Sequence, residues 1–137
     1  METQIKVRGF HTDLYKHVNN ARYLEFLEEG RWNLLEEHIN LDEFTNAGFR
    51  FFVVNINISY KSPVKFNDTI IIRSGISKIG NTSAVIHQQI TNKASGKLCV
   101  YADVSFVIAD ENGKPLKLEG ELKDMLLKFP EIESISV

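Results

Sequence analysis

With one cysteine, Cys99, the 137-residue chain can form no intrachain disulfide, which suits a reducing cytoplasm. It also lacks a surplus of basic charge. The formal net charge is −2, so neither nucleic acid nor an anionic membrane is expected as the main partner. The N-terminus, Met-Glu-Thr-Gln-Ile-Lys-Val-Arg, has no basic stretch followed by an apolar one, so no secretory signal is read there. No apolar run approaches the roughly 20 residues that span a bilayer. Internal repeats and low-complexity linkers are missing too. What is present is an ordinary globular balance, 43% hydrophobic and 25% charged, expected to fold as one domain over residues 1–137 and to reside in the cytoplasm.

Hydrophobic periodicity divides the chain into elements. Ile5 and Val7 alternate with Lys6 and Arg8, a first strand of period two. Gly9 to Asn20 is polar and irregular. From about Asn20 to Asn40 the spacing turns helical, with Tyr23, Leu27, Gly30 or Arg31, Leu34 and His38 on one stripe, widened by Leu24, Leu35 and Ile39. At about 1.5 Å per residue this helix is close to 30 Å long. Asn19 or Asn20 can cap it. Four strands follow, the first marked by Val54, Ile56, Ile58 and Tyr60 and the second by Ile70, Ile72 and Ile76. Gly80-Asn81 is a hairpin signal before Ala84, Ile86, Gln88 and Ile90. Leu98, Val100, Ala102, Val104, Phe106 and Ile108 form the last strand, and Leu118 to Phe129 reads as a short amphipathic helix. The order implies an α+β fold in which a curved antiparallel sheet wraps one long helix, with a short C-terminal helix. Such a sheet has open edges, which pairing of two copies would satisfy.

The stretch with chemical potential runs from Asp13 to Glu28. An aspartate in a loop leads directly into a long helix, whose first turn carries unpaired N–H groups and the positive end of the macrodipole. Such amides can hold an oxyanion. A nearby carboxylate can attack an acyl carbon or activate a water. A thioester suits this equipment, because its leaving thiol has a pKa of roughly 8–9 and needs no strong acid. Taken alone, Asp13 is equally readable as a turn or capping residue.

The pattern Asp-x-x-x-His-Val-Asn-Asn-x-x-Tyr-x-x-x-x-Glu, from Asp13 to Glu28, resembles the 4-hydroxybenzoyl-CoA thioesterase-like branch of the hotdog-fold superfamily. The stretch Tyr60-Lys61-Ser62-Pro63-Val64-Lys65-Phe66-Asn67-Asp68 resembles the same family's strand-turn segment, and the likeness covers roughly Ile5 to Leu127. It implies a hotdog fold, dimers or tetramers with sites at subunit interfaces, and hydrolysis of acyl-CoA or acyl-carrier-protein thioesters without a cofactor. By position, Asp13 matches the catalytic aspartate and the Asn20 amide the group that polarises the carbonyl. Tyr23 and Glu28 match residues that shape the helix face. The family often has glycine just before His17, where this chain has Lys16. A lysine does not take positive φ without cost, which leaves the path of the loop open.

Other residues have simpler readings beside the functional ones. His17, with His11 and Asp13, lacks the spacing and companion ligands of a dependable metal site, so no metal is expected; a place beside the substrate or in loop packing fits it better. Glu28 can order the helix through an ion pair with Arg31, as Glu25 can with Arg22. Lys61, Lys65, Arg73 and Lys78 are candidate contacts for the phosphates of coenzyme A, or simply surface charges. Cys99, within a strand, reads as buried and inert. Gly75 to Gly80 lacks the lysine and spacing of a phosphate loop. Two rivals keep the fold: a carrier-protein thioesterase and a non-catalytic acyl-thioester-binding module. A dehydratase would want a paired histidine and acid, which this motif does not supply.

Overall fold

The computed structural model describes residues 1–135. Strand β1 (Glu2–Lys6) leads through a 3-10 turn (Gly9–His11) to helix α1 (Asn20–His38) and a short α2 (Leu41–Asn46). Strands β2 (Arg50–Tyr60), β3 (Thr69–Ile79), β4 (Ser83–Asn92) and β5 (Leu98–Ala109) follow, and then α3 (Glu121–Leu127). The five strands form one antiparallel sheet in the order β1-β3-β4-β5-β2. Its inner face wraps α1, the arrangement expected from the element order. Among the described residues, no helix is long and apolar enough to cross a membrane.

The inward faces of β3, β4 and β5 follow their period-two pattern. Ile70, Ile72, Ile76, Ala84, Ile86, Gln88, Ile90, Val100, Ala102, Val104, Phe106 and Ile108 are all buried. On α1 the buried stripe is Tyr23, Phe26, Leu27, Gly30 and Leu34. Phe26 therefore takes the place on this face expected for Leu24, which is exposed. Gly30 is where helix and sheet approach most tightly: a Cβ there would lie 2.8 Å from Ile72 Cγ2 and 3.0 Å from Gln88 Nε2. The amide of fully buried Gln88 is satisfied by the Leu27 carbonyl and Ser74 Oγ, both at 2.9 Å, and by the Arg31 guanidinium at 3.0 Å.

Two boundaries differ from the periodicity reading. The long helix stops at His38 because Asn40 turns outward to cap α2, accepting the Glu43 amide at 3.1 Å. Strand β2 carries a bulge between Val53 and Asn55. The extra residue shifts the alternation, so Phe51 and Val53 share the inner face with Ile56 and Ile58 by register, and Val54 is left exposed. Because β2 is an edge strand, Phe52, Val53 and Tyr60 also stay about half exposed.

Candidate active site

The loop before α1 is a tight turn closed by its own first residue. Asp13 N–H donates to the His17 carbonyl at 2.8 Å, and Lys16 N–H donates to the Asp13 carbonyl at 3.0 Å. Asp13 Oδ1 accepts the Tyr15 amide at 2.9 Å and the His17 amide at 3.3 Å. Lys16 takes φ of 61°, the left-handed conformation that glycine adopts freely. The loop thus follows a glycine-type path despite the lysine, held by the aspartate's clamp on two amides. Oδ2 of Asp13 accepts no hydrogen bond within the described residues.

The start of α1 is equally constrained. Asn19 N–H donates to the His11 carbonyl at 3.0 Å, Ala21 N–H to Asn19 Oδ1 at 2.9 Å, and Arg22 N–H to the Asn19 carbonyl at 2.9 Å. Asn19 is therefore the cap. The Asn20 amide between them has no acceptor within the described residues. It is the free donor of a helix N-terminus, where the macrodipole favours negative charge. Tyr60 Oη donates to the Asn20 carbonyl at 3.3 Å and steadies this first residue from the side.

Asp13, His17, Asn20 and Tyr23 line one open cleft of about 280 Å3, completed by Tyr60, Lys61, Ser62 and Pro63. Tyr23 ties the helix to the opposite wall. Its hydroxyl accepts the buried Val64 amide at 3.0 Å, and its ring meets Tyr60 edge-on at 5.4 Å between centroids. Burial pushes the Tyr23 hydroxyl pKa up, against the pull of the Val64 amide, which keeps the phenol neutral. Tyr60, Ser62 and Pro63 carry no charge and fall in a strand-turn segment, so nothing in their own chemistry marks them as cleft residues.

The remaining candidates separate. Lys61 stays on the cleft wall, with its ammonium over the Tyr101 ring, 5.8 Å from the centroid. Lys65 lies in an adjoining pocket, while Lys78 lines a different groove beside α3 and Arg73 pairs with Glu2 at 3.2 Å. Glu28 sits two turns along α1, where it accepts from Trp32 Nε1 at 3.4 Å rather than pairing with Arg31. It borders an apolar groove of about 530 Å3 between α1, α2 and β2, lined by Leu35, Phe44, Phe49, Phe51 and Ile56. Arg22 and Glu25 do pair, at 2.8 Å. His11 Nδ1 accepts the Arg8 amide at 2.9 Å, and burial, then the Arg22 charge, lowers its pKa. Cys99 is buried, and its thiol pKa is raised by that burial.

The model of the thioesterase-like superfamily matches residues 8–132. The chain is 46% identical over 127 residues to the long-chain acyl-CoA thioesterase FadM of Escherichia coli, an alignment covering 92% of this chain and 96% of that one. Among solved structures, it resembles YbaW, a probable thioesterase from Escherichia coli, with a TM-score of 0.88 and 45% identity over 94% of this chain and 98% of that one. A 4-hydroxybenzoyl-CoA thioesterase in complex with 4-hydroxybenzoyl-CoA gives a TM-score of 0.82 at 15% identity, covering 92% and 97% of the two chains. That last likeness is one of fold alone.

Proposed function

The chain belongs to the thioesterase-like superfamily, and from that membership we propose that it hydrolyses acyl-CoA thioesters to the free acid and coenzyme A. The observation that carries the proposal is the pairing within one cleft of an aspartate and a helix-terminal amide whose Oδ2 and N–H, respectively, have no partner among the described residues. The substrate carbonyl accepts the Asn20 N–H, which stabilises the charge that grows on oxygen as the carbon becomes tetrahedral. Asp13 acts through Oδ2. As a general base it takes a proton from the attacking water; as a nucleophile it forms an anhydride that water then opens. In both routes the C–S bond breaks and the thiolate leaves without needing a strong acid. Turnover in labelled water, followed through one cycle, separates them: label in the Asp13 side chain requires the anhydride.

The acyl group has a natural place. The cleft and the apolar groove lie along the same seam between α1 and β2. Asn20 and Arg31 are eleven residues apart, about 16 Å along the helix axis. At about 1.3 Å of advance per carbon, a chain of roughly a dozen carbons spans that distance. A long aliphatic acyl group fits this measure, in keeping with the substrate in the FadM name. The half-exposed edge strand β2, with Phe52, Val53 and Val54, supports pairing with a second copy, which would extend the sheet and cover the groove's rim. Release of free thiol from a panel of acyl-CoA lengths tests the reading. Turnover that rises toward long chains is expected, and no turnover of any acyl-CoA would refute it.

A further inference from the structure

The large apolar side chains left in water gather at one corner. Leu14 is 89% exposed, Tyr15 76%, Phe10 69% and Phe66 43%. The Thr12–Val18 bridge pinches residues 13–17 into a turn with Leu14 and Tyr15 at its tip. Phe66 joins them through its amide, which donates to the Lys16 carbonyl at 3.1 Å. Its ring comes against Gly9, where a Cβ would lie 3.8 Å from Phe66 Cε2, and Phe10 is the next residue. Backbone bonds and the Asp13 carboxylate close the turn, so its fold does not call on the Leu14 and Tyr15 side chains. A cluster of exposed apolar residues of this kind marks a binding surface.

The charges around these tips suit a lipid surface with anionic headgroups. Arg8, Lys16 and Lys65 are exposed beside the apolar residues and form no ion pair among the described residues. The Arg22 guanidinium stands 6.0 Å from the centroid of the Phe10 ring. Of the nearby acids, Glu25 is paired with Arg22, and the Asp13 and Asp68 carboxylates accept amides of their own loops. Apolar tips that enter the boundary between headgroups and acyl chains, ringed by basic groups, are the equipment of peripheral attachment. The net charge of −2 does not forecast this, because attraction to a charged surface acts within about 10 Å and reads the local charge. A second copy is the poorer occupant. The sheet edge open to one is β2, whereas Phe10 and Phe66 hang from the end of β1 across the sheet. There Val7 N–H donates to the Asp68 carbonyl at 2.8 Å and Asn67 N–H to the Val7 carbonyl at 3.1 Å.

We infer that the corner formed by Phe10, Leu14, Tyr15 and Phe66 docks on an anionic phospholipid surface and takes the acyl-CoA from it. The uptake step rests on the acyl-CoA reading above. Leu14 directly follows Asp13, so the surface that the tips enter adjoins the cleft. A long-chain acyl-CoA is an amphiphile, with its chain at home in lipid and its nucleotide in water. With the cleft held at the interface, the chain passes from lipid to the groove without exposing its methylenes to water.

Sedimentation with vesicles of mixed phosphatidylcholine and phosphatidylglycerol tests the surface directly. The full chain cosediments with them, and less with phosphatidylcholine alone. Phe10→Ser/Leu14→Ser weakens the binding about tenfold or more, and Lys16→Glu/Lys65→Glu does so by a similar factor that high salt erases. Leu14→Trp keeps the binding, and its added emission shifts to the blue on vesicles. The serine variant turns over a short-chain acyl-CoA free in solution at the native rate, but loses turnover of a long-chain acyl-CoA presented in vesicles. Native protein that ignores anionic vesicles, or a serine variant that binds them like native, would overturn the inference. So would a change in the oligomeric mass of the serine variant, since the corner would then be a contact between copies. Vesicle binding that depends on the corner in a protein without thioesterase activity would sustain the docking surface and sink the acyl-CoA reading instead.

Discussion

Replacing Tyr23 with phenylalanine removes one oxygen and should cost both stability and activity. Tyr23 is 3% exposed and Val64 is fully buried, and the Val64 amide donates to the Tyr23 hydroxyl at 3.0 Å. In Tyr23→Phe the ring still packs, but the amide is left buried without an acceptor. An orphaned buried donor costs about 1–3 kcal/mol. For a domain of this size that is a fall in Tm of roughly 4–10 °C. The same bond fixes the loop after β2 against α1, and Ser62 and Pro63 of that loop wall the cleft. Activity should therefore drop further than the folded fraction does, measured well below the new Tm. Tyr60→Phe is the control, because its bond to the Asn20 carbonyl is long and exposed and its loss should move Tm little. Thermal melts and acyl-CoA turnover on both variants decide the matter. A Tyr23→Phe melt indistinguishable from native, or a larger shift in Tyr60→Phe, would refute the reasoning.

Lys16→Gly should stabilise the protein by about 0.5–1 kcal/mol, since relief of a left-handed non-glycine residue, worth about 1–2 kcal/mol, outweighs glycine's entropy cost. A urea midpoint that falls instead would contradict the strain. His11 should titrate below its ordinary value of 6.5, because its neutral ring accepts the Arg8 amide while burial and Arg22 oppose its charge. With a depressed folded pKa, its contribution is present above 6.5 and lost as pH falls through the folded value. Acid should thus loosen the Gly9–His11 turn, whose His11 carbonyl holds the Asn19 amide. An NMR titration midpoint above 6.5 would be the contrary result.

The sheet was legible where burial has one simple period. In the middle of β3, β4 and β5, between the register irregularities at Ile76–Lys78 and Ile90–Thr91, alternation read directly as inside and outside, including the polar Gln88; beyond the second of them Cys99, not Leu98, joins the core. Strand β2 was not, because a bulge breaks its register and an open edge leaves apolar residues exposed. Phe26 and Leu24 differ by half a turn on α1, a rotation that periodicity with several apolar positions does not settle. Tertiary contacts hid other features entirely. His87, on the outward face of β4, is fully buried because the C-terminal segment lies over it, with Ile135 N–H donating to its Nε2 at 3.2 Å and Asp103 at 2.8 Å from its Nδ1. At the candidate site, the motif pointed to Asp13 and Asn20, yet local sequence could not show which first-turn amide stays free. That depends on Asn19 capping Ala21 and on His11 accepting from Asn19, contacts made only once the loop has folded back.

The most direct test of the account is free-thiol release from a long-chain acyl-CoA by native protein and by Asp13→Asn. Asparagine keeps an Oδ1 that can hold the Tyr15 and His17 amides, so the loop and the melt should survive while the carboxylate chemistry is lost. The account predicts a fall in kcat of about 10²–10⁴-fold with little change in Tm. Native-like turnover by the Asp13→Asn variant would contradict it and move the reacting centre away from the start of α1.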